Sequence, residues 1–191
     1  MSVPAAHALG EASSWVQRWS HLLAPDACVL DVACGSGRHL AWFSQRGHAV
    51  TGIDTDIQAA TAHAGEARLV QADIEAGPWP LHIDGAPEPF GAVVVTNYLW
   101  RPLVPTLLAS LAPSGVLLYE TFAAGNETLG RPRNPNFLLQ PAELLTLCAG
   151  LHVVAYEHGY LDQPARYVQR IAALRNFTHA PPGAEPARYA L

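Results

Sequence analysis

The sequence predicts an α/β fold, in which a doubly wound, mostly parallel sheet carries helices on both faces. Three observations support this prediction. Short apolar runs recur along the chain, helical stretches alternate with them, and a glycine-rich turn follows the first run. Apolar strands buried on both faces are typical of parallel sheets, and alternation with helices indicates crossover connections. The 191 residues suit a single domain that spans 1–191.

The first half of the chain alternates between helix and strand. Apolar residues at helical spacing near the N-terminus predict a helix within residues 1–24. This helix either covers the sheet or forms a lid over a site. Pro25 and Gly47 are expected to end helices, and Asp56 is expected to cap one. In order, we expect a helix over 11–23, a strand over 28–33, a helix over 38–46, a strand over 49–53, a helix over 56–64 and a strand over 68–71.

The second half continues the pattern and then becomes irregular. Residues 77–89 are rich in Pro and Gly and predict a loop, and a turn at 113–115 leads into the fifth strand. Residues 123–140 form a long irregular segment, which in a compact domain is usually functional or disordered. The remaining elements are strands over 92–96 and 116–121, helices over 103–111 and 141–148, an antiparallel pair over 151–157 and 167–174, and an irregular tail over 176–191.

Composition excludes several classes of protein. The net charge of −5 does not suit a non-specific nucleic-acid binder, which needs a basic surface. The three cysteines form no C-x-x-C pair, so we expect no zinc site or other metal. No apolar run reaches the ~18 residues of a membrane helix, and no secretory signal is apparent, so we expect a cytoplasmic protein without a membrane partner.

The turn after the first strand has the features of a cofactor loop. Gly35 and Gly37 allow the backbone to approach a ligand, and such a junction lies at the ligand-binding edge of an open α/β sheet. A dinucleotide loop is the alternative, but its third small residue would fall at Leu40, which is large. The acid Asp31 has no role in a dinucleotide loop, whereas it can pair with the ammonium group of a zwitterionic cofactor such as S-adenosylmethionine.

Two further acids follow the next two strands. Asp54 ends the second strand, where a carboxylate can accept hydrogen bonds from both ribose hydroxyls. Asp73 follows the third strand and can accept from an adenine amino group, with Ile74 against the ring. Each acid has an alternative as a turn or capping residue. Three acids at successive strand ends beside a glycine loop nevertheless form a specific pattern.

These motifs resemble class I S-adenosylmethionine-dependent methyltransferases, and in particular the small bacterial tellurite-resistance-type members. The resemblance rests on 31–37, Asp54, Asp73, 90–97 and 111–118, with Ala33 in place of the family's first glycine. It implies a seven-stranded sheet of order 3-2-1-4-5-7-6 with the last strand antiparallel, S-adenosylmethionine as cofactor and S-adenosylhomocysteine as product. The cofactor-binding residues that we assign are Asp31, Ala33, Gly35, Gly37, Arg38, Asp54, Thr55, Asp73, Ile74 and Asn97.

The acceptor side of the site is less defined by sequence. Asn97 and Tyr98 follow the fourth strand, where this fold faces the methyl group, and Trp100 is either a stacking wall or a core residue. Glu120 at the end of the fifth strand is either a general base or the ion-pair partner of an arginine. Arg131 and Arg133 either clamp an anionic substrate or pair with Glu120 or Glu127. The catalytic candidates are Tyr98 and Glu120, and the substrate-binding candidates are Trp100, Arg131 and Arg133.

Three hypotheses of function follow. The first is methyl transfer to a small molecule by positioning and desolvation, which needs no triad. The second is an RNA or protein methyltransferase, which predicts a basic stripe of Arg101, Arg131, Arg133 and Arg166. The third is a non-catalytic S-adenosylmethionine-binding regulator. We expect a monomer or a homodimer.

Overall fold

A computed structural model describes residues 9–175 and 188–191 of the chain. The strands are β1 Val29–Val32, β2 Val50–Asp54, β3 Arg68–Gln71, β4 His82–Ile83, β5 Ala86–Pro87, β6 Phe90–Thr96, β7 Leu111–Phe122, β8 Leu151–Asp162 and β9 Ala165–Arg175. The main sheet has seven of these strands in the order β3-β2-β1-β6-β7-β9-β8, and β9 pairs antiparallel with both of its neighbours. When β4 and β5, which form a separate small hairpin, are left out of the numbering, this is the expected order 3-2-1-4-5-7-6, and the fold prediction is confirmed.

Helices cover both faces of this sheet and enclose two hydrophobic clusters. The first three helices supply side chains to one cluster and the last two to the other. Short 3-10 turns lie at 20–22, 101–103, 126–128 and 135–137. The α-helices are α1 Ser14–Trp19, α2 Arg38–Ser44, α3 Gln58–Thr61, α4 Val104–Ala109 and α5 Glu143–Leu147.

Alternation along the central strands explains why both faces are apolar. Val93 and Val95 of β6 enter one cluster, whereas Val94 enters the other, because successive side chains of a strand point to opposite faces. All three are completely buried. Each such side chain stabilises the fold by about 1.5–3 kcal/mol relative to exposure. The strands therefore read as continuous apolar runs, as the sequence predicts for a parallel sheet.

Helix α1 lies against the sheet. Trp15, Val16 and Trp19 are buried, and the Trp15 indole donates to the carbonyl of Ile171 in β9 at 3.1 Å. Ser13 caps the helix by accepting from the Trp15 amide at 3.1 Å. This packing is that of a helix that covers the sheet. Residues 1–8 of the N-terminal stretch lie outside the described residues, as do residues 176–187 of the predicted irregular tail.

Several predicted boundaries were wrong. The helix expected over 56–64 is only the single turn of α3. A second turn would have little to pack against the sheet, because Ala64 is the one buried residue among residues 62–67. The loop at 77–89 contains the β4–β5 hairpin, whose turn residues Asp84 and Gly85 have φ of 51° and 79°. An Asp-Gly pair with two positive φ angles is a favoured hairpin turn.

The last three strands of the main sheet are longer than predicted. β7 begins at Leu111 and passes through the expected turn at 113–115 as an irregular stretch, where its register with β6 shifts. β8 and β9 pair along nearly their full lengths, from Leu151–Arg175 to Asp162–Ala165. The prediction ended β8 at residue 157 because the residues that follow are mostly exposed and form no apolar run.

Candidate functional site

The carboxyl ends of β1, β2, β3 and β6 meet around a cavity of about 380 Å³. Ligands of open α/β sheets bind at this edge. We call it the acid-lined cavity. Its lining is Ala33, Asp54, Thr55, Asp73, Ile74, Glu75 and Tyr98. The structure thus brings together five of the residues that the sequence assigned to the cofactor, with the catalytic candidate Tyr98 beside them.

Asp31 is a buried acid without a hydrogen bond. It is the third residue of β1, and its side chain is only 1% exposed to solvent. Neither carboxylate oxygen has a hydrogen-bond partner in the described part of the chain. The nearest basic atom is Nδ1 of His39, 3.6 Å from Oδ1. A buried carboxylate left unpaired costs several kcal/mol. The side chain therefore suits a ligand that brings a cationic donor such as an ammonium group.

The loop after Asp31 is held open by its backbone. Ala33, Gly35 and Gly37 all have positive φ, of 53°, 54° and 82°. The Gly35 amide donates to Oδ2 of Asp54 at 2.8 Å, which ties the loop to the end of β2. Ala33 thus adopts a conformation that glycine takes more readily, at the position where the resemblance in sequence implies a glycine.

Leu40 explains how the helix after the loop packs without a third small residue. It is completely buried in α2. A Cβ atom placed on Gly52 of β2 would lie 2.9 Å from Leu40 Cδ1. The small residue that permits this close packing is therefore in the strand rather than in the loop. This arrangement differs from a dinucleotide loop, where the helix supplies the small residue.

Asp54 and Asp73 also hold their own turns. Oδ1 of Asp54 accepts from the Asp56 amide at 3.1 Å and from the Thr55 hydroxyl at 3.3 Å. Oδ1 of Asp73 accepts from the amides of Glu75 and Ala76, each at 3.0 Å. The capping interpretation and the ligand interpretation are thus compatible, because each carboxylate has further lone pairs directed at the cavity edge.

A second cavity, of about 370 Å³, lies between β6, β7 and the start of β9. We call it the arginine-lined cavity. Its lining is Arg38, Asn97, Phe122, Asn126, Leu129, Gly130, Arg131, Pro164, Ala165 and Arg166. Arg38 reaches it from α2 while donating to the Glu11 carbonyl and the Thr96 hydroxyl, both at 3.3 Å. Three sequence-predicted residues, Arg38, Asn97 and Arg131, therefore meet here.

Glu120 is an ion-pair centre. It is completely buried at the end of β7. Oε1 accepts from the Ser13 hydroxyl at 3.1 Å and from Arg166 Nη2 at 3.0 Å, and Oε2 accepts from Arg170 Nη1 at 3.2 Å. These three donors occupy both oxygens. The contacts favour the ion-pair alternative over the general base, although the arginines are Arg166 and Arg170 rather than those that the sequence suggested.

Tyr98 separates the acid-lined cavity from a third one, of about 230 Å³. We call this the aromatic cavity. Its lining is Glu75, Asn97, Tyr98, Leu99, Thr121, Phe122, Pro132 and Phe137. The Tyr98 hydroxyl is buried and has no hydrogen-bond partner among the described residues. Burial, with the Glu75 carboxylate nearby, raises the pKa of Tyr98, so the phenol is protonated at neutral pH and is not a base.

Of the substrate-binding candidates, Arg131 and Arg133 line one cavity together with Phe122 and Phe137, whereas Trp100 lies elsewhere. Trp100 packs against the core cluster and lines none of the three cavities. Arg131 and Arg133 are exposed, and neither side chain has an ion pair or hydrogen bond within residues 9–175 and 188–191. Glu127, one suggested partner, instead accepts from the Gly125 amide at 2.8 Å.

Arg101 anchors the irregular segment instead of contributing to a basic surface. Its Nε lies 2.5 Å from Glu143 Oε1, and its terminal nitrogens donate to the carbonyls of Asn136 and Leu138 at 2.6 and 3.0 Å. The hydrogen bond from Arg101 lowers the pKa of Glu143. The segment 123–140 is therefore fastened to the turn after β6, directly beside the aromatic cavity.

Sequence reasoning missed Glu75, Phe122 and the site role of Arg166. Glu75 and Phe122 each lie within two residues of an assigned position, so a wider window around the strand ends would have found them. Arg166 is four residues before Arg170 in β9 and faces the same side of the sheet. No local signal connects it to Glu120, because only the antiparallel register of β9 with β7 brings them together.

Comparison with known proteins finds a family match for residues 29–115. Residues 29–115 match the family described as a methyltransferase domain. A trans-aconitate 2-methyltransferase from Paracidovorax citrulli is 38% identical over 96 residues, which cover 47% of this chain and 36% of that protein. A malonyl-[acyl-carrier protein] O-methyltransferase from Serratia marcescens is 29% identical over 150 residues, covering 70% and 54%. The chain thus spans about a third to a half of these relatives.

Solved structures share the fold. TehB from Haemophilus influenzae superposes with a TM-score of 0.69 at 17% identity, covering 86% of this chain and 63% of that one. An S-adenosylmethionine-dependent methyltransferase from Methanosarcina mazei has a TM-score of 0.67 at 16% identity, covering 88% and 100%. No helix in the described ranges is both long and apolar enough to span a membrane. Residues 29–115 thus match a methyltransferase domain, and the chain shares the fold of S-adenosylmethionine-dependent methyltransferases.

Proposed function

We propose that this protein binds S-adenosylmethionine and transfers its methyl group to a small molecule, releasing S-adenosylhomocysteine. The observation that carries the proposal is Asp31, a buried carboxylate with two unpartnered oxygens two residues before the loop that lines the acid-lined cavity. An ammonium group provides the cation that this acid lacks. A cavity of about 380 Å³ is within the range typical of small-molecule sites.

The residues present fit the parts of this cofactor. Asp31 would hold the ammonium group, Asp54 the ribose hydroxyls, and Asp73 the adenine amino group. Ile74 is buried at the cavity wall and offers an apolar surface to the adenine ring. When bound, S-adenosylmethionine supplies a methyl group activated by a positively charged sulfur.

This chain's own contribution is positioning and exclusion of water. Tyr98 is a protonated phenol and Glu120 is fully engaged with arginines, so neither acts as a free base. Phe122 and Phe137 in the aromatic cavity provide walls that align an acceptor and exclude solvent. Good alignment alone can contribute roughly 7–11 kcal/mol to lowering a barrier, which is enough for acceptors that need no deprotonation.

Two observations support a small acceptor over RNA. Arg101, one member of the suggested basic stripe, is paired with Glu143. Pairing removes it from the set of charges that could neutralise phosphates. The relatives from Paracidovorax citrulli and Serratia marcescens are named for trans-aconitate and for a malonyl group on a carrier protein, neither of which is a nucleic acid.

Calorimetric titration with S-adenosylhomocysteine tests the cofactor assignment. We expect binding by the unaltered protein, loss of detectable binding in Asp54→Ala, and at least tenfold weaker binding in Asp31→Asn. Asp26→Ala is the control, because Asp26 is an exposed acid remote from the acid-lined cavity. Unchanged affinity in Asp54→Ala would refute the site.

Transfer of labelled methyl to a panel of thiols, oxyanions, carboxylates, phenols and amines tests the activity. Turnover with at least one class supports the proposal. Tight binding of S-adenosylhomocysteine without turnover on any class would instead favour the non-catalytic regulator. A salt-dependent affinity for RNA, with slope near −0.7 for each phosphate contacted, would favour the nucleic-acid alternative.

A further inference from the structure

The arginine-lined cavity has no acidic residue in its lining. Arg38, Arg131 and Arg166 contribute three guanidinium groups to a space of about 370 Å³, and the remaining lining residues are neutral. The chain as a whole carries a net charge of −5. This acidic protein therefore carries a local cluster of positive charge beside the aromatic cavity.

The hydrogen bonds around Arg166 leave part of its guanidinium unused. Its two terminal nitrogens donate to Asn97 Oδ1 at 3.2 Å and to Glu120 Oε1 at 3.0 Å. Its Nε is buried and has no partner in the described part of the chain. A buried donor without an acceptor costs about 1–3 kcal/mol, so the hydrogen bonds of Arg166 within the described residues leave this guanidinium incompletely paired.

The other two arginines are not neutralised by ion pairs. No salt bridge within residues 9–175 and 188–191 includes Arg38 or Arg131. Glu120 lies behind Arg166 and is shared between Arg166 and Arg170. Burial lowers the pKa of the Arg38 guanidinium, although Asp31 and Glu120 act in the opposite direction. An anion in the cavity would relieve this cost.

The position of the cavity connects it with the reaction site. It shares Asn97 and Phe122 with the aromatic cavity, which in turn shares Glu75 and Tyr98 with the acid-lined cavity. The three cavities thus form a row along the carboxyl edge of the sheet. A molecule held by its charged end among the arginines would place its uncharged part against Tyr98 and Phe122.

We propose that the arginine-lined cavity binds a carboxylate of the acceptor, so that the acceptor is an organic acid. This inference rests on the proposed methyl transfer. Guanidinium groups bind carboxylates through paired N–H donors, which fixes orientation as well as charge. The sequence suggested Arg131 and Arg133 as the clamp. The structure places Arg131 with Arg38 and Arg166 in this cavity, and it also places Arg131 with Arg133 in a neighbouring cavity that shares Phe122 with this one.

A carboxylate could reach this cavity from two sources, the acceptor or the amino-acid end of the cofactor. Arg38 follows the glycine loop directly, whereas Arg131 belongs to the segment 123–140 and Arg166 to β9. The experiment therefore centres on Arg131, whose exposed side chain has no hydrogen bond or ion pair in the described part of the chain. Arg131→Gln removes the charge and Arg131→Lys retains it. Arg46→Gln is the control, since Arg46 is an exposed arginine two residues beyond the end of α2 and lines none of the cavities described above.

The measurement is calorimetric titration of protein saturated with S-adenosylhomocysteine, using acetate, malonate and trans-aconitate as probes and their methyl esters as uncharged counterparts. We expect malonate or trans-aconitate to bind and the esters not to bind. We expect Arg131→Gln to weaken acid binding at least tenfold, Arg131→Lys to weaken it less, and Arg46→Gln to leave it unchanged.

Three results would overturn the inference. They are absence of binding by all three acids, equal binding of acids and esters, and unchanged acid affinity in Arg131→Gln. A parallel titration distinguishes the cofactor as the source. If Arg131→Gln weakens binding of S-adenosylhomocysteine but not of 5′-methylthioadenosine, which lacks the carboxylate, the cavity serves the cofactor and the acceptor assignment fails. Intact binding of S-adenosylhomocysteine without acid binding leaves the proposed function standing and refutes only this inference.

Discussion

Nδ1 of His39 lies 3.6 Å from Oδ1 of Asp31, and both side chains are almost completely buried. Nε2 of the same imidazole accepts the backbone N–H of Ser13 at 3.2 Å. Because Nε2 is an acceptor, the proton of the neutral ring is on Nδ1 and faces Asp31. His39 therefore connects the residues before α1 with the acid that we assign to the cofactor.

This relationship predicts that His39 positions Asp31. We expect His39→Asn to weaken binding of S-adenosylhomocysteine about tenfold, equivalent to ~1.4 kcal/mol, because the carboxylate loses the imidazole N–H that lies 3.6 Å from it. Binding of 5′-methylthioadenosine, which has no ammonium group, should be unchanged. Calorimetric titration of both nucleosides measures the difference.

His48→Asn is the control for this prediction. His48 contacts the Ala27 carbonyl at 3.0 Å and lies away from Asp31. It should reduce the affinity for neither nucleoside. Equal losses for both nucleosides in His39→Asn would show that His39 supports the fold of the loop rather than the orientation of Asp31.

The backbone of Ala33 gives a second prediction. With φ of 53°, it lies in the left-handed region, which costs an L-residue roughly 1–2 kcal/mol relative to glycine. We expect Ala33→Gly to leave the free energy of unfolding unchanged or slightly raised, since relief of strain is offset by the freer unfolded chain. Ala33→Val should lower it by about 2 kcal/mol or more, because β-branched residues are strongly disfavoured there.

Urea denaturation measures these differences in unfolding free energy. Ala62→Val provides a comparison, because Ala62 is exposed and has a right-handed φ of −65°. It should cost less than about 1 kcal/mol. If Ala33→Val and Ala62→Val were equally destabilising, backbone strain at Ala33 would not be the cause.

The strands around the cofactor loop were predictable because each is an apolar run bounded by turn residues. β1, β2, β3 and β6 begin within two residues of their predicted starts. β1, β2 and β6 are almost entirely buried, whereas β3 lies at the edge of the sheet and is only partly buried. The positions of Asp54 and Asp73 could be predicted in the same way, because the carboxyl ends of parallel strands meet at one edge of the sheet. The cofactor half of the site could therefore be assigned from sequence.

The acceptor half could not be predicted in the same way. Arg166 reaches Glu120 only through the antiparallel pairing of β9, and Arg101 reaches Glu143 across 42 positions in the chain. Such contacts depend on tertiary register rather than on local pattern. The β4–β5 hairpin was different, because Asp84-Gly85 is a local signal that could have been recognised.

The bidentate pair of Arg101 and Glu143 gives a third prediction. The hydrogen bond from Arg101 lowers the pKa of Glu143 in the folded protein. Its stabilising contribution is therefore complete above the unfolded pKa of about 4.3 and is lost as pH falls through the lower folded value. We expect Glu143→Gln to lower the unfolding free energy at pH 7 by ~1 kcal/mol and to reduce the difference in stability between pH 7 and pH 3.

Thermal melts at both pH values test this expectation. Glu66→Gln is the comparison, because Glu66 is exposed and has no ion pair in the part of the chain that the structure describes. A destabilisation of Glu143→Gln that is equally large at pH 3 would contradict the ion-pair explanation, since protonation should already have weakened the pair there.

The cysteines give a last prediction, which concerns reactivity. Cys34 and Cys148 are buried, whereas Cys28 is exposed. Burial, followed by the charges of Asp31 and Asp54, raises the pKa of Cys34 to about 12. Burial alone raises the pKa of Cys148 to about 12. Because the thiolate is the reactive form, neither should react at pH 8 in the folded protein.

We therefore expect iodoacetamide at pH 8 to label the native protein once, at Cys28, and the urea-unfolded protein at all three cysteines, as measured by mass spectrometry of tryptic peptides. Cys28→Ser should remove native labelling and leave two labels after unfolding. Rapid native labelling of Cys34 would show that the loop around Asp31 opens to solvent. In that case the buried, unpaired state of Asp31, on which the cofactor assignment rests, would hold for only part of the population.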